Sequence, residues 1–218
     1  PSVSDAVYDS LMDELKKIES DHPELITIDS PTQRVGNKLL DGFQKVEHAR
    51  RMVSLNDVFD KGEVEAWIER TDKLVPGQRH EFFTDIKMDG LACALIYVDG
   101  VLSQAVTRGD SFVGEDVTNN VRTIKNVPLR LREAAGFEKF LHGRTEIRGE
   151  IVMLKRDFEE LNERQKSLGL PTFANPRNLA AGTIRQLDPA LVAARPLHFR
   201  GYDVIRDDGS EVPTNSFA

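Results

Sequence analysis

The chain has 218 residues, of which 39% are hydrophobic and 30% are charged, and this composition fits a globular protein with a substantial core. No apolar run is long enough to cross a membrane, and no signal-peptide pattern opens the sequence. The single cysteine, Cys93, excludes both a disulfide within the chain and a cysteine zinc site, so we expect no zinc. One cysteine also fits a reducing cytoplasm.

The net charge of −7 is unevenly distributed along the chain. Residues 1–30 carry eight acidic and two basic side chains, so the rest of the chain is close to neutral. Basic residues then cluster over 122–132 and again over 177–206. Such clusters can hold phosphates even on an acidic protein, but charge alone favours an ordinary solvated surface.

Near the N-terminus, the pattern predicts one helix and a connector. Residues 4–20 carry an apolar stripe at helical spacing, with Ser4 as a candidate N-cap, and His22-Pro23 ends this helix. Residues 29–42 are rich in turn-forming residues and read as a connector. We therefore predict a small, partial helical appendage over 1–42 and a larger domain over 43–218.

In the larger domain, helical patterns alternate irregularly with short apolar runs separated by glycines. We predict helices over 60–74, 155–168 and 176–187, and strands over 81–87, 91–98, 101–107 and 145–153. Asp99-Gly100 suits a tight hairpin turn between two of these strands. Strands joined by hairpins, with helices interspersed, indicate an α+β fold with mostly antiparallel sheets.

Lys87 lies at the end of the predicted strand 81–87 and just before Gly90. Partial enclosure at such a bend would favour the neutral amine, which is a nucleophile, over the ammonium. The alternative is a strand-end lysine whose charged group reaches water, and the segment Lys87-Met88-Asp89-Gly90 taken alone favours that alternative.

Two further segments carry polar groups suited to a nucleotide. Arg108, after the second hairpin strand, could bind a ribose or phosphate oxygen, although a polar turn explains its segment equally well. Glu146, Arg148 and Glu150 share one strand face, which is either solvated or the wall of a polar pocket. In that pocket Glu150 could take ribose hydroxyls or magnesium, and Gly149 indicates a close approach to the backbone.

Arg177 and Arg185 flank the small residues Ala180-Ala181-Gly182 in the last predicted helix. Eight residues along a helix bring two side chains close enough in direction to face one cleft. Arginines near a helix start suit phosphate binding, and exposed surface arginines are an equal alternative.

Taken in order, these segments resemble the N-terminal part of bacterial NAD-dependent DNA ligases, over essentially the whole chain. Lys87-x-Asp89-Gly90 is shared by covalent nucleotidyltransferases in general, whereas the acidic Tyr8-Asp9 segment and residues 30–36 (SPTQRVG) are specific to the NAD-dependent branch. The other matching landmarks are Met52-Val53-Ser54-Leu55, Thr107-Arg108-Gly109-Asp110, Arg148-Gly149-Glu150 and residues 175–187.

The resemblance implies a covalent nucleotidyltransferase fold (ligase adenylation, ATP-grasp-like) and a three-step reaction. Lys87 attacks the α-phosphate of NAD, forms lysyl-AMP and releases NMN. The AMP then passes to the 5'-phosphate of a DNA nick, and the 3'-hydroxyl displaces it to seal the strand in replication and repair. The implied ligands are NAD, Mg²⁺ or Mn²⁺, and nicked double-stranded DNA, and we expect a cytoplasmic monomer without a membrane partner.

The resemblance also implies a role for each matching side chain. Residues on the nucleotide side are Asp85 at the adenine amine, Tyr202 stacked on adenine, Ser54 and Leu55 against the nucleotide, Arg108 at the ribose and the DNA end, and Asp89 and Glu150 at the ribose and metal. The NMN half would be bound by Asp5, Tyr8 and Asp9. Phosphates of AMP or DNA would be bound by Arg177, Arg185, Arg148 and Arg122.

Three positions depart from the family pattern: Asp85 replaces a longer glutamate, and Ser111 and Asp203 each replace a glycine. The similarity begins inside the appendage and ends before the later lysine motifs, so we expect that this chain alone does not seal nicks. The alternatives are a non-catalytic nucleotide- or DNA-binding fragment, a degenerate relative, and an ATP-dependent ligase or capping-type enzyme.

Overall fold

A computed structural model describes residues 5–34 and 41–207 of the chain. The predicted N-cap Ser4 and residues 35–40 of the predicted connector lie outside the described residues. None of the helices within the described ranges is long and apolar enough to span a membrane. The elements, in chain order, are α1 (Asp5–Asp21), β1 (Lys45–Glu47), α2 (Lys61–Leu74), β2 (Leu91–Val98), β3 (Val101–Thr107), β4 (Val113–Glu115), α3 (Thr118–Val121), β5 (Arg144–Val152), α4 (Lys155–Ser167), α5 (Pro176–Ile184), α6 (Pro189–Ala193) and β6 (His198–Arg206).

The strands form one four-stranded sheet and one two-stranded ribbon. The sheet has the order β3-β2-β5-β6 with every neighbouring pair antiparallel, and β1 pairs with β4 in the ribbon. The β2–β3 hairpin turns at Asp99 and Gly100, both with positive φ as a tight primed turn requires. The predicted mixture of helices and antiparallel sheets is thus confirmed.

Strand β2 is buried on both faces, which explains its unbroken apolar sequence. Cys93, Leu95 and Tyr97 contribute to the main core, which also contains buried residues of α3, α5 and α6. The intervening residues of β2, with Met52 and Val106, form a smaller second cluster. Because strand side chains alternate, this second cluster lies on the face that also carries Glu146, Arg148 and Glu150 of β5.

The close approach expected at Gly149 is made by the neighbouring strand β6. A Cβ atom at Gly149 would lie 2.3 Å from the carbonyl oxygen of Arg200 and 2.5 Å from Cζ of Phe199. Both distances are far below van der Waals contact, so any side chain here would push β5 and β6 apart. Gly149 therefore serves sheet packing beside the site.

The strand predicted over residues 81–87 is wrong. Residues 78–89 have no regular secondary structure, and their apolar side chains Phe82, Phe83 and Ile86 are largely exposed. The sequence carries a strand-like pattern, but a strand forms only where another backbone supplies its hydrogen bonds. Phe82 instead lies against Trp67 of α2, with ring centroids 5.5 Å apart.

Helix α1 is attached to the larger domain mainly through the polar residues that follow it. Its apolar stripe is largely exposed, as Leu11 illustrates. Arg34 donates hydrogen bonds to the carbonyl oxygens of Arg122 (3.0 Å), Ile124 (3.2 Å) and Val127 (3.1 Å). One guanidinium thus binds three backbone carbonyls, and this contact holds the end of the N-terminal segment against the turn after α3.

Candidate active site

A polar cleft of about 410 Å³ brings together most of the side chains that the sequence singled out. It opens at one end of the four-stranded sheet, where β2 begins and β3 ends. The residues that line it are Ser54, Leu55, Asp57, Lys87, Met88, Asp89, Gly90, Leu91, Ala92, Arg108, Gly109, Glu150, Arg177 and Arg185.

Two larger depressions lie at the N-terminal helix, but neither gathers groups suited to chemistry. The larger, of about 840 Å³, is lined only by residues of α1, and the other, of about 570 Å³, lies between α1 and the turn that follows it. A shallow surface along one helix offers no convergent set of side chains. The polar cleft at the sheet is therefore the candidate active site.

Backbone pairing of the sheet fixes the floor of the cleft. Ala92 of β2 stands opposite Glu150 of β5, and the backbone N–H of Arg108 donates to the carbonyl oxygen of Ala92 at 2.9 Å. These bonds bring Glu150 and Arg108, 42 positions apart in the chain, to the same strand ends. The small side chain of Ala92 leaves the space between them open.

Glu150 presents a half-buried carboxylate to this space. Its Oε2 atom is buried and has no hydrogen-bond partner among the described residues. Burial raises the pKa of Glu150, while the positive charges of Arg108, Lys87 and Arg177 act in the opposite direction. A carboxylate in a cleft lining can accept a hydrogen bond from a hydroxyl group or bind a cation.

Lys87 also lines the cleft, and it belongs to the segment 78–89, which has no strand pairing. The sequence indicated a half-enclosed lysine at a strand end; this is wrong, because Lys87 is exposed. The segment rejoins the sheet at Gly90, where a Cβ atom would lie 2.3 Å from the carbonyl oxygen of Ile151. Gly90 lets the chain pass close to β5 and so directs the residues before it into the cleft.

Arg177 of α5 and Arg185, directly after it, both line the cleft. Asn175 caps the helix by accepting from the N–H of Asn178 at 2.7 Å, and Pro176 occupies the first turn. The helix ends at Ile184, three residues earlier than predicted, so Arg185 is its C-cap residue and not part of a longer helix. It still lines the same cleft as Lys87.

Each of these arginines is paired with a carboxylate. Arg177 Nη1 lies 3.3 Å from Asp89 Oδ1, and Arg185 Nε lies 3.0 Å from Glu115 Oε2. Asp89 belongs to the Lys-x-Asp-Gly segment, whereas Glu115 belongs to β4 and stands outside the cleft lining. Arg177 is therefore paired with a carboxylate of the cleft lining, whereas Arg185 is paired with a carboxylate outside it.

Arg148, one of the predicted phosphate ligands, is buried and bonds within the protein. It pairs with Glu146 at 2.7 Å and donates to the carbonyl oxygens of Arg50 (2.6 Å) and Arg51 (2.9 Å). On the charged face of β5, Glu146 and Arg148 thus form a buried ion pair, and only Glu150 lines the cleft. Arg148 holds the segment that leads to Ser54.

Arg122, the other predicted phosphate ligand, lies at the junction with the N-terminal segment. Its Nη2 donates to the carbonyl oxygen of Ile28 at 3.1 Å. Nearby, Arg130 Nε pairs with Asp29 Oδ2 at 2.5 Å. The basic cluster over 122–132 therefore contributes to docking of the N-terminal segment.

The residues expected at adenine, Tyr202 and Asp85, are both absent from the cleft lining. Tyr202 on β6 is partly exposed, burial raises its pKa, and the charge of Glu150 raises it further. Asp85 is exposed, is absent from the cleft lining, and accepts from the N–H of Ile86 at 2.7 Å. Asp203, beside Tyr202, is exposed.

The residues expected at NMN are only partly described. Asp5 and Asp9 lie on α1, but their side chains are outside the described residues. Tyr8 is about half exposed; burial lowers the pKa of Arg34, and the interaction with Tyr8 acts in the opposite direction.

Ser111 adopts a backbone conformation that explains the glycine expected there. Its φ is 86°, a region that L-residues rarely adopt. The strain is held in a tight turn, in which Ser111 N donates to the carbonyl oxygen of Arg108 at 3.0 Å and Ser111 O accepts from Met52 N at 3.0 Å. The substitution thus adds backbone strain three residues from a cleft arginine.

Sequence reasoning missed Asp57 and Met88 in the lining, and Glu115 behind it. Asp57 closes a short polar run after Ser54-Leu55, which is a usable signal. Glu115 lies in β4, a strand that the sequence did not predict, and no local pattern reveals that it pairs with a residue 70 positions away.

A metal ion has limited protein support in this cleft. No group of three or more His, Cys, Asp or Glu suited to a metal occurs within residues 5–34 and 41–207. Mg²⁺ at phosphate sites keeps several waters and takes one or two carboxylates besides the substrate phosphates. The unpartnered Oε2 of Glu150 fits such a site as its protein ligand.

The fold and site define an α+β protein with a polar cleft that is lined by one lysine, three arginines and three carboxylates. The chain belongs to the NAD-dependent DNA ligase adenylation domain family, whose model matches residues 40–218. Residues 1–36 match the model of the DNA ligase-like, N-terminal NAD+-binding domain. The family indicated by the sequence motifs is thereby confirmed.

Similar proteins include a DNA ligase of Thermomicrobium roseum, 52% identical over 218 residues, which covers 100% of this chain and 31% of that relative. A DNA ligase of Herpetosiphon aurantiacus is 47% identical over 216 residues, covering 99% of this chain and 32% of that relative. The chain thus spans about a third of the length of these relatives.

Proposed function

We propose that this chain carries out the adenylation step of an NAD-dependent DNA ligase, with Lys87 as the nucleophile. The observation that carries the proposal is the convergence of Lys87, Glu150 and three arginines on one cleft of about 410 Å³. Phosphoryl transfer needs an aligned nucleophile and charge neutralisation around the phosphate more than it needs further reacting groups. The cleft lining offers a lysine and three arginines for these two roles.

In the proposed step, the neutral amine of Lys87 attacks the α-phosphorus of NAD. A phosphorus–nitrogen bond forms, the bond to the bridging oxygen of the pyrophosphate breaks, and NMN leaves with that electron pair on its phosphate. The amine loses its proton to solvent. Arg177 and Arg185 would neutralise the phosphate oxygens, and Arg108 would contact the ribose or the phosphate.

Glu150 and Asp89 would act on the ribose and metal side. The buried, unpartnered Oε2 of Glu150 supports a contact with a ribose hydroxyl or with Mg²⁺, or Mn²⁺ in its place. Bound metal would supply additional positive charge at the phosphate. Asp89 Oδ1 lies 3.3 Å from Arg177 Nη1. A bound phosphate would therefore replace Asp89 as a partner of this arginine.

The adenine and NMN contacts rest on the family resemblance. Ser54 and Leu55 line the cleft, which supports their contact with the nucleotide. By resemblance, Tyr202 would stack on adenine. Asp85 would need to turn inward to reach the adenine amine. Asp5, Tyr8 and Asp9 would bind NMN, whose nicotinamide is positively charged in the oxidised cofactor and suits carboxylates.

The wider role follows from the relatives named DNA ligase. After adenylation, AMP would pass to the 5'-phosphate of nicked double-stranded DNA, and the strand would be sealed in replication and repair. The covalent nucleotidyltransferase fold and the division into an appendage (1–42) and an adenylation domain (43–218) are part of the proposal. Inability of this chain alone to seal nicks, its cytoplasmic location and its monomeric state stay predictions.

A second candidate function is non-catalytic nucleotide binding, because Lys87 is exposed on a segment without regular structure. An exposed ammonium is well solvated and is a poor nucleophile. Under this alternative the cleft would bind AMP or NAD but would form no covalent adduct.

Intact-mass measurement separates these functions. The purified chain is incubated with Mg²⁺ and either NAD or ATP, beside Lys87→Ala and the control Lys155→Ala, whose exposed lysine is on α4. We expect a gain of one AMP with NAD only, retained in the control and lost in Lys87→Ala. A gain with ATP would indicate an ATP-dependent enzyme, and binding without any gain would favour the non-catalytic alternative.

A further inference from the structure

Arg185 needs an external support to stay in the cleft. It follows the last helical residue of α5, and its side chain is 49% exposed. A long side chain in this position has many accessible rotamers, and holding one of them costs conformational entropy. The support that the structure shows is Glu115, whose Oε2 accepts from Arg185 Nε at 3.0 Å.

Glu115 is itself held firmly at the end of the ribbon strand β4. Its N–H donates to Thr107 Oγ1 at 3.0 Å, and its strand partner on β1 is Lys45. Lys45 Nζ lies 3.1 Å from the other carboxylate oxygen, Oε1. Each oxygen of Glu115 therefore has its own cationic partner, and the carboxylate is fixed in orientation.

The charge of Glu115 is maintained by these partners. Burial of its carboxyl acts to raise the pKa, but the hydrogen bond from Lys45 and the positive charge of Arg185 outweigh burial and hold the pKa below its ordinary value. Glu115 thus remains an anion near neutral pH and can keep its bond to the guanidinium.

The support of Arg185 by Glu115 differs from the pairing of Arg177 with Asp89. Asp89 lines the cleft and its side chain is 73% exposed, so a ligand phosphate competes with it directly. Glu115 is outside the lining and binds the Nε side of Arg185. That contact leaves the terminal amino groups of the guanidinium available to a phosphate, so it can persist when the ligand is bound.

We propose that Glu115 is a positioning residue for phosphoryl transfer: the chain Lys45–Glu115–Arg185 orients the Arg185 guanidinium toward the phosphate that Lys87 attacks. This inference rests on the proposed adenylation function. A guanidinium aimed in advance at developing charge stabilises a transition state more than one that must first be ordered. Loss of Glu115 should therefore slow the chemical step more than it weakens nucleotide binding.

The test measures the single-turnover rate of lysyl-AMP formation over a range of NAD concentrations. The variants are Glu115→Ala, Glu115→Gln, Arg185→Ala and the double variant Glu115→Ala/Arg185→Ala. Glu47→Ala is the matched control, because Glu47 is an exposed carboxylate on the same ribbon. Circular dichroism and thermal melting establish that each variant is folded.

We expect Glu115→Ala to lower the maximal rate about 10- to 50-fold with a change in half-saturating NAD of about threefold or less. Glu115→Gln keeps an acceptor oxygen for Nε and should recover several-fold of the lost rate. The double variant should be no slower than Arg185→Ala, because Glu115 acts only through that arginine. The Glu47→Ala rate should equal that of the wild type.

Three results would overturn the proposal while leaving the function intact: an unchanged rate in folded Glu115→Ala, rate losses that multiply in the double variant, or a glutamine variant as slow as the alanine variant. A wild-type chain that forms no lysyl-AMP would overturn the adenylation function and this inference together. The two failures are therefore distinguishable by the wild-type reaction.

Discussion

The two walls of the cleft are built in opposite ways. The wall that carries Glu150 and Arg108 is part of the four-stranded sheet, and Ala92 between them is 6% exposed. The wall that carries Lys87 belongs to residues 53–89, where the extended parts lack strand pairing and α2 contributes no buried residue. Apolar side chains on this second wall are exposed, including Leu55 (74%) and Ile86 (78%).

This difference separates binding from reaction. Groups on the sheet are fixed by backbone hydrogen bonds and can present an ordered site to a nucleotide before it arrives. Lys87, the proposed nucleophile, lies on a wall with few contacts, and local opening costs least free energy in such parts of a protein. We infer that the sheet wall determines affinity and that the Lys87 wall determines whether the bound nucleotide reacts.

Apart from the loss of Lys87 itself, the largest expected effect is on the sheet wall, at Glu150. Glu150→Gln removes the anion facing the cleft, and we expect adenylation to fall at least about 100-fold. Because the pKa of Glu150 is raised, its carboxylate becomes protonated as the pH falls through that raised value, and the wild-type rate should then fall. This fall at low pH should be missing from the variant. Rates measured from pH 4.5 to 8 test this, with Glu160→Gln on α4 as control. A wild-type rate for Glu150→Gln would show that this wall does not bind the reacting nucleotide.

The two walls join at Gly90, where the structure has no room for a side chain. Gly90→Ala places a Cβ atom 2.3 Å from the carbonyl oxygen of Ile151, so we expect a loss of about 2–3 kcal/mol in the free energy of unfolding. Chemical denaturation measures it. Gly182→Ala is the control, because nothing lies within 4 Å of its added Cβ and alanine favours the helix. A stable Gly90→Ala would contradict the close approach at this junction.

Hydrogen exchange compares the walls directly. Amides of β2 and β5 should exchange at least about tenfold more slowly than those of residues 81–87, because only the former have strand hydrogen bonds. Addition of AMP should slow exchange at residues 85–89 if the open wall orders against a ligand. Equal protection of both walls without ligand would instead support the strand that the sequence predicted there.

The smallest effect is expected at Ser111. Its positive φ stores strain that glycine relieves, so Ser111→Gly should raise the free energy of unfolding by about 0.5–1 kcal/mol. The exposed strand residue Ser103 is the matched control, and Ser103→Gly should lower stability because glycine weakens strands. Destabilisation of Ser111→Gly would mean that its side chain is needed in the turn.

Local patterns predicted the parts of the fold that local chemistry determines. Strands β2 and β3 coincide with the predicted ranges, because an apolar run on each side of Asp99-Gly100 specifies a hairpin. Strand β6 was not predicted, since its Arg200-Gly201 segment interrupts any apolar alternation, and the short β1 and β4 were missed as well. The strand predicted over 81–87 failed because pairing depends on a partner elsewhere in the chain.

The site follows the same division. Residue type and spacing pointed to Lys87, Glu150 and the arginines of α5, and these side chains do meet in one cleft. The contacts of Arg148 could not be read from sequence, because its partners include backbone carbonyls more than 90 positions away. Backbone acceptors carry no sequence signal, so such structural arginines resemble phosphate ligands until the fold is known.

The most direct test of the two-wall account measures binding and reaction in the same variant. Lys87→Ala is titrated with AMP by calorimetry and, in parallel, its intact mass is followed with NAD and Mg²⁺. The account predicts AMP affinity within about threefold of the wild type and no gain of AMP mass. Two results would contradict the account. One is an AMP adduct on Lys87→Ala, and the other is a Lys87→Ala variant that forms no adduct and also no longer binds AMP.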